Sequence, residues 1–197
     1  EFGVRAGVSP ILFYDPLGRV VATLHPNHCW EKVVFDAWRQ DTWDVSDTIG
    51  IDPRTDADVK GFFVQSDDTA RLDEQDYLPL WYDLRTDPAQ SARLSDCYPD
   101  ATLRNAEIKA AHQAAAHADT PSTAHLDALG RPFLTIARNR VQCPEHPLDG
   151  TEAAFATNGE LDIEGNQRAV IDAKDRVVMR YAYDLLGVLK SNFLSQF

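Results

Sequence analysis

Three potential metal ligands fall within five residues at His25-Pro26-Asn27-His28-Cys29, and Cys143-Pro144-Glu145-His146 adds a Cys-x-x-His that could complete a tetrahedral zinc site. The spacing is not that of a zinc finger, and Pro26 stiffens the first group. A polar loop between strands is therefore the preferred account, and no metal is expected. Cys29 beside His28 makes a poor nucleophile and base, because neighbours on a strand point to opposite faces. His112 and His117 are five apart in a helical stretch and sit on different faces. The carboxylates Asp67, Asp68, Asp73, Glu74 and Asp76 lack the alternating pattern and glycine of an EF-hand, so they read as a solvated acidic loop. There is no Gly-x-Ser-x-Gly elbow, phosphate-binding glycine loop or His-Glu-x-x-His. The expectation is a protein that is not an enzyme and needs no cofactor.

A different pattern does recur. Tyr14-Asp15-Pro16-Leu17-Gly18-Arg19 reads as a turn that hands over to a strand: Pro16 pre-sets φ, Gly18 supplies a positive φ, and Arg19 opens the β-branched run Val20-Val21. Degenerate copies follow at Asp127-Ala128-Leu129-Gly130-Arg131 (after His125-Leu126), at Asp172 to Arg176, and at Tyr183-Asp184-Leu185-Leu186-Gly187. A turn-strand unit repeated along a chain marks a repeat architecture. In it Tyr14 and Tyr183 are expected to stack within a sheet, while the aspartates bond turn amides.

The elements around these turns divide the chain into strands (10–48), a helical insertion with an acidic loop (49–120), and strands again (121–190). The first strands are expected at Arg19 to His25 and at Glu31 to Val45. In the second, Val33, Phe35 and Ala37 oppose Lys32, Asp36 and Gln40, with a bulge or turn near Arg39-Gln40-Asp41. Trp30, Trp38 and Trp43 should pack across strands. A short helix is expected at Asp56 to Gln65, and helical spacing at Tyr77 to Arg85 with Pro79 in its first turn. Thr86 to Asp100 reads as linker. Ala101 to Ala118 is the clearest helix, capped by Asp100 or Thr102, with Leu103, Ala106, Ala110, Ala114 and Ala118 as its packing stripe. Further strands follow near Pro132 to Ile136, Gln167 to Asp172 and Arg176 to Tyr183, with a polar loop from Asn139 to Glu160.

The 197 residues carry a formal charge of -12, which lacks the basic footprint of a nucleic-acid binder. The three widely spaced cysteines exclude a disulfide-dense scaffold. No apolar run is long enough to span a membrane, and no signal-peptide pattern is present. An opening at Glu1-Phe2 without Met reads as a fragment of something longer.

The unit Tyr-Asp-x-x-Gly-Arg resembles the YD repeat of the Rhs and teneurin proteins. The longer words YDPLGRVVATLHPNHCWEKVVFDAWRQDTWDV, AHLDALGRPFLTIARNR and DIEGNQRAVIDAKDRVVMRYAYDLLG are similar to the B/C-type subunits of bacterial insecticidal toxin complexes, over roughly residues 10 to 187. That resemblance implies a mainly β fold, an antiparallel β-ribbon forming part of a hollow shell. It also implies a secreted setting, with the rest of the shell, an enclosed toxic C-terminal segment and a pore-forming component as partners. Departures are His125-Leu126 in place of tyrosine, Asp175 in place of glycine, and Val188 in place of arginine. The alternatives are an adhesion module built from the same repeats and a small metal-dependent hydrolase at His25, His28, Cys29, Cys143 and His146.

Overall fold

The computed structural model describes residues 9–67, 69–184 and 189–194, with backbone alone for 190–194. The fold is mainly β, with antiparallel strands and one helical segment. Two compact units divide it: the described residues up to Val34 with Thr42–Thr120, and Phe35–Asp41 with the described residues from Pro121 onward. The first strands and the helical segment thus share one unit, so the three sequence segments do not coincide with the two units.

In the first unit β1 (Ile11–Tyr14), β2 (Val20–Leu24) and β3 (Trp30–Phe35) pair antiparallel in chain order. Ala22, Leu24 and Trp30 turn inward to meet Val59, Phe63, Tyr77 and Leu80 from the helical segment. Phe63 is the hub of this core: it is fully buried and its ring lies 5.1 Å from Phe13, 6.5 Å from Trp30 and 5.3 Å from Tyr77. Such offset and edge-on arrangements are the favourable ones for aromatic rings.

The helical segment is α1 (Lys60–Phe63), α2 (Trp81–Thr86), α3 (Ser91–Cys97) and α4 (Ala101–Ala114). The short helix expected at Asp56 to Gln65 shrinks to four residues, because Asp56 spends its carboxylate on the amides of Asp58 and Val59 in a turn. Pro79 lies before α2 rather than in its first turn. The expected linker at 86–100 folds into a 3-10 turn and α3, since Leu94 buries and Asp87 caps the turn. Asp100 caps α4 through the amides of Thr102 and Leu103. Its inward face is not the expected stripe: Ala111 is buried, while Leu103, Ala106 and Ala110 face solvent. On α4 Glu107 faces Arg85 of α2.

β4 (Arg39–Trp43) leads into the second unit, whose strands β5 (Ser122–Leu126), β6 (Pro132–Arg140), β7 (Glu152–Leu161), β8 (Gln167–Ile171), β9 (Val177–Tyr183) and β10 (Leu189–Leu194) each pair antiparallel with the next. The single strand expected over Glu31 to Val45 is instead β3 and β4, joined by a turn at Asp36–Arg39 where Asp36 accepts from the Trp38 amide. Half of the polar loop expected over 139–160 is strand, in β6 and β7. β7 was hidden because Glu-Ala-Ala-Phe-Ala-Thr-Asn-Gly has little β-branching and no clean alternation. Trp38 is mostly exposed at its turn, and Trp43 lies under Lys32 at 4.5 Å, so the three tryptophans do not pack on one another.

Candidate functional site

The recurring feature of the molecule is one hairpin turn, present five times among the described residues. At residues 15–19, 25–29, 127–131, 162–166 and 172–176, the first residue's N–H donates to the carbonyl of the fifth, and the fourth residue's N–H donates back to the first carbonyl. The fourth position always has positive φ: 79° at Gly18, 63° at His28, 75° at Gly130, 92° at Gly165 and 58° at Asp175. This is a type I turn closed by a left-handed residue, the loop that couples two strands through a bulge. The register shifts beside four of the turns fit that geometry.

Where the first residue is aspartate, its side chain locks the turn. Asp15 Oδ1 accepts from the amides of Leu17 and Arg19, both at 2.9 Å, and Oδ2 accepts from Arg19 Nε at 2.7 Å. Asp127 repeats this with Leu129 and Arg131, and Asp172 with Lys174 and Arg176. Asp162 does the same with Glu164 and Asn166, so asparagine stands in for arginine. These donors hold the carboxyls low. For Asp15 and Asp127 the backbone amide of the following arginine leads; for Asp172 the Arg176 side chain leads and the value falls to about 2. Tyr14 is half exposed, and the Tyr183 hydroxyl donates to the Gln167 carbonyl. Of the fourth copy Tyr183 and Asp184 are described, while Gly187 lies outside the described residues.

Three of the five candidate metal ligands, His25, His28 and Cys29, are spent on one turn of this kind. His25 and His28 are the first and fourth residues of the second turn, and Asn27 Oδ1 accepts from the Cys29 amide. His28 Nδ1 lies 3.0 Å from the Pro79 carbonyl, and burial pushes the Cys29 thiol up, against the pull of Arg85. Cys143 and His146 sit in the β6–β7 loop, where Cys143 is exposed and His146 Nδ1 accepts from the Leu148 amide. Among the described residues no three His, Cys, Asp or Glu side chains converge as metal ligands. The turn copies at 25–29 and 162–166 escaped the sequence search. The first has neither Asp nor Gly, whereas the second, Asp-Ile-Glu-Gly-Asn, does carry Asp and Gly at the right spacing.

Two charged clusters tie the helical segment to its unit, and the sequence pattern concealed both. Lys32, expected on the polar face of its strand, points inward: Nζ lies 2.7 Å from both Asp56 and Asp58. Burial works against its charge, but the two carboxylates prevail and raise its pKa. Arg85 lies over the Trp81 ring at 4.2 Å, donates to the Tyr98 hydroxyl and holds Glu107 at 2.6 Å, joining α2 to α4. Beside α2 an open cleft of about 390 Å³ is lined by Arg54, Glu74, Asp83, Asp87 and Arg93 among others. Arg54 is clamped to Asp52, and burial followed by Asp52 and Asp87 pushes the Asp83 carboxyl up. The mixed charges give this cleft no defined chemistry.

No protein-family model matches the sequence, and no curated protein matches it. Solved structures do match. The Photorhabdus luminescens Tc holotoxin pore with a mutated TccC3 aligns at TM-score 0.54 and 15% identity, and the TcdB2–TccC3–Cdc42 crystal structure at 0.54 and 16%. The TcdB2–TccC3 crystal structure aligns at 0.52 and 15%. The likeness is one of fold. Each alignment covers 94% of this chain but 6% of the other, so the chain spans a small part of the proteins it resembles. The resemblance carried by the Tyr-Asp-x-x-Gly-Arg words thus meets a matching fold in toxin-complex structures. Among the described residues no helix is long and apolar enough to cross a membrane.

Proposed function

We propose that this chain is a wall section of a YD-repeat shell in a toxin-complex subunit, one that encloses a toxic C-terminal payload and helps dock it to a pore-forming component. The supporting observation is the same hairpin turn, used five times, four of them locked by an aspartate, to lay antiparallel strands edge to edge. Such cassettes bury little by themselves and gain stability from their neighbours, which suits a wall built by repetition. The role is structural rather than catalytic. Partners are the remaining shell, the enclosed segment and the pore-forming component, and the setting is secreted. An adhesion module made of the same cassettes is the alternative.

The test is the open reading frame on both sides. The shell reading expects further cassettes at strand-turn spacing and a C-terminal segment that resists protease until the shell is denatured. Cysteine-rich EGF-like repeats and a membrane span would instead select the adhesion module.

A further inference from the structure

The β6–β7 hairpin extends beyond its neighbours. β5 meets β6 no nearer the tip than Ile136, and β8 meets β7 no nearer than Asn158, so Glu152–Thr157 of β7 pair on one side only among the described residues. Which backbone groups face the open side follows from the loop. Val141 donates to the Thr151 carbonyl and accepts from the Gly150 amide, so both its groups point at β7. Strand alternation then aims Asn139 and Ala137 at β7, and Ala153 and Phe155 back at them. The N–H and C=O of Glu152, Ala154 and Ala156 therefore point away from β6.

Open strand edges are ordinarily blunted by charge, proline or a bulge. The β6 edge of this arm follows that rule with Arg138 and Arg140. The β7 edge does not: it offers Ala153, Ala154, Phe155 and Ala156, and its one charge, Glu152, is neutralised by Arg140 at 2.7 Å. Phe155 is 46% exposed.

We infer that this edge is a pairing surface whose occupant is the same edge of a second copy of the chain, added as an antiparallel strand. The edge is self-complementary about Ala154. In that register Ala154 opposes its own counterpart and Glu152 opposes Ala156, each exchanging the outward N–H and C=O groups. Phe155 then packs over Ala153 of the other copy, a large ring against a small side chain, and no like charges are opposed. The inference stands apart from the shell reading, which survives its failure.

The test is sedimentation of the full chain over a concentration series, beside Ala154→Pro and Ala156→Pro. Each proline removes an outward N–H and leaves the bonds to β6 intact. The wild type is expected to dimerise and both variants to lose the dimer. A wild type that stays monomeric, or a dimer that survives both prolines, overturns the inference. Hydrogen exchange on the wild type needs no variant to fold. The amides of Ala154 and Ala156 should slow as concentration rises, while those of Ala153 and Phe155 are already protected; exchange at Ala154 and Ala156 that ignores concentration also overturns it.

Discussion

Strands β1 to β3 lie under a lid of short helices, and that unit has an interior: Trp30, Phe63 and Tyr77 are almost wholly enclosed. From Ser122 onward the same turn joins β5 to β6, β7 to β8 and β8 to β9, and the described residues have almost no interior. Ala169 is the one strongly buried apolar residue of that unit among those described, and Thr123 and Asp41 are buried as a polar pair, hydrogen-bonded to each other at 2.6 Å. Phe133, Phe155 and Leu129 remain exposed. The difference separates two sources of order. Burial of apolar surface stabilises the first unit, whereas the second depends on ladder hydrogen bonds and locked turns, whose net worth per bond is small.

The largest break in this comparison should come from the aromatic hub. Phe63→Ala is expected to cost about 3–5 kcal/mol and to release the helical segment. Denaturant unfolding followed by near-ultraviolet circular dichroism checks it, with Phe133→Ala as the near-neutral counterpart in the second unit. Lys32→Ala should cost about 3 kcal/mol, because it strands Asp56 without its partner in a buried setting. Since the lysine pKa is raised by folding, its contribution is complete below the ordinary lysine value and is lost as pH climbs through the higher folded one. An alkaline melting series with wild type and Lys32→Met should show that loss in the wild type alone.

The turns are the place to injure the second unit. Gly165→Ala should cost about 1–3 kcal/mol, since φ is 92° and a new Cβ would run into the Arg131 guanidinium. The same turn in the first unit is the control: Gly18→Ala meets nothing within 4 Å and should cost only its backbone strain, about 1 kcal/mol. Asp175→Gly should work the other way and stabilise by about 0.5–1 kcal/mol, because a glycine relieves the left-handed backbone. Equilibrium unfolding of the three variants orders them. Acid should loosen these turns without touching the aromatic core: Asp172 titrates at about 2 in the folded chain against 3.8 ordinarily, so its support is full above pH 4 and lost as pH falls towards 2. Hydrogen exchange at the Lys174 and Arg176 amides reports it.

The repeat was legible because its requirements are local. An aspartate that must reach amides two and four residues ahead, followed by a residue with positive φ, leaves a signature such as Asp-Pro-Leu-Gly-Arg. Even so, His25 to Cys29 makes the same turn with histidine at the left-handed position, and there the residue types pointed to zinc instead. α3 and β7 were missed because each offers a local pattern few apolar residues: Leu94 is the one buried residue of α3, and β7 has little β-branching. The inward Lys32 was misassigned because alternation assigns faces by polarity, and polarity is blind to two aspartates arriving from 24 and 26 residues away.

The sequence by itself determined where the turns at 15–19, 127–131 and 172–176 fall, that antiparallel strands flank them, and that Asp100 starts a long helix. Each of these is a contest between neighbouring backbone groups over a few residues, and local chemistry decides it. Tertiary structure alone decided which face of each element is buried, that a lysine belongs inside one unit, and that the other unit has little interior. Those outcomes depend on which surfaces meet across tens of residues, where burial and desolvation outweigh local preference.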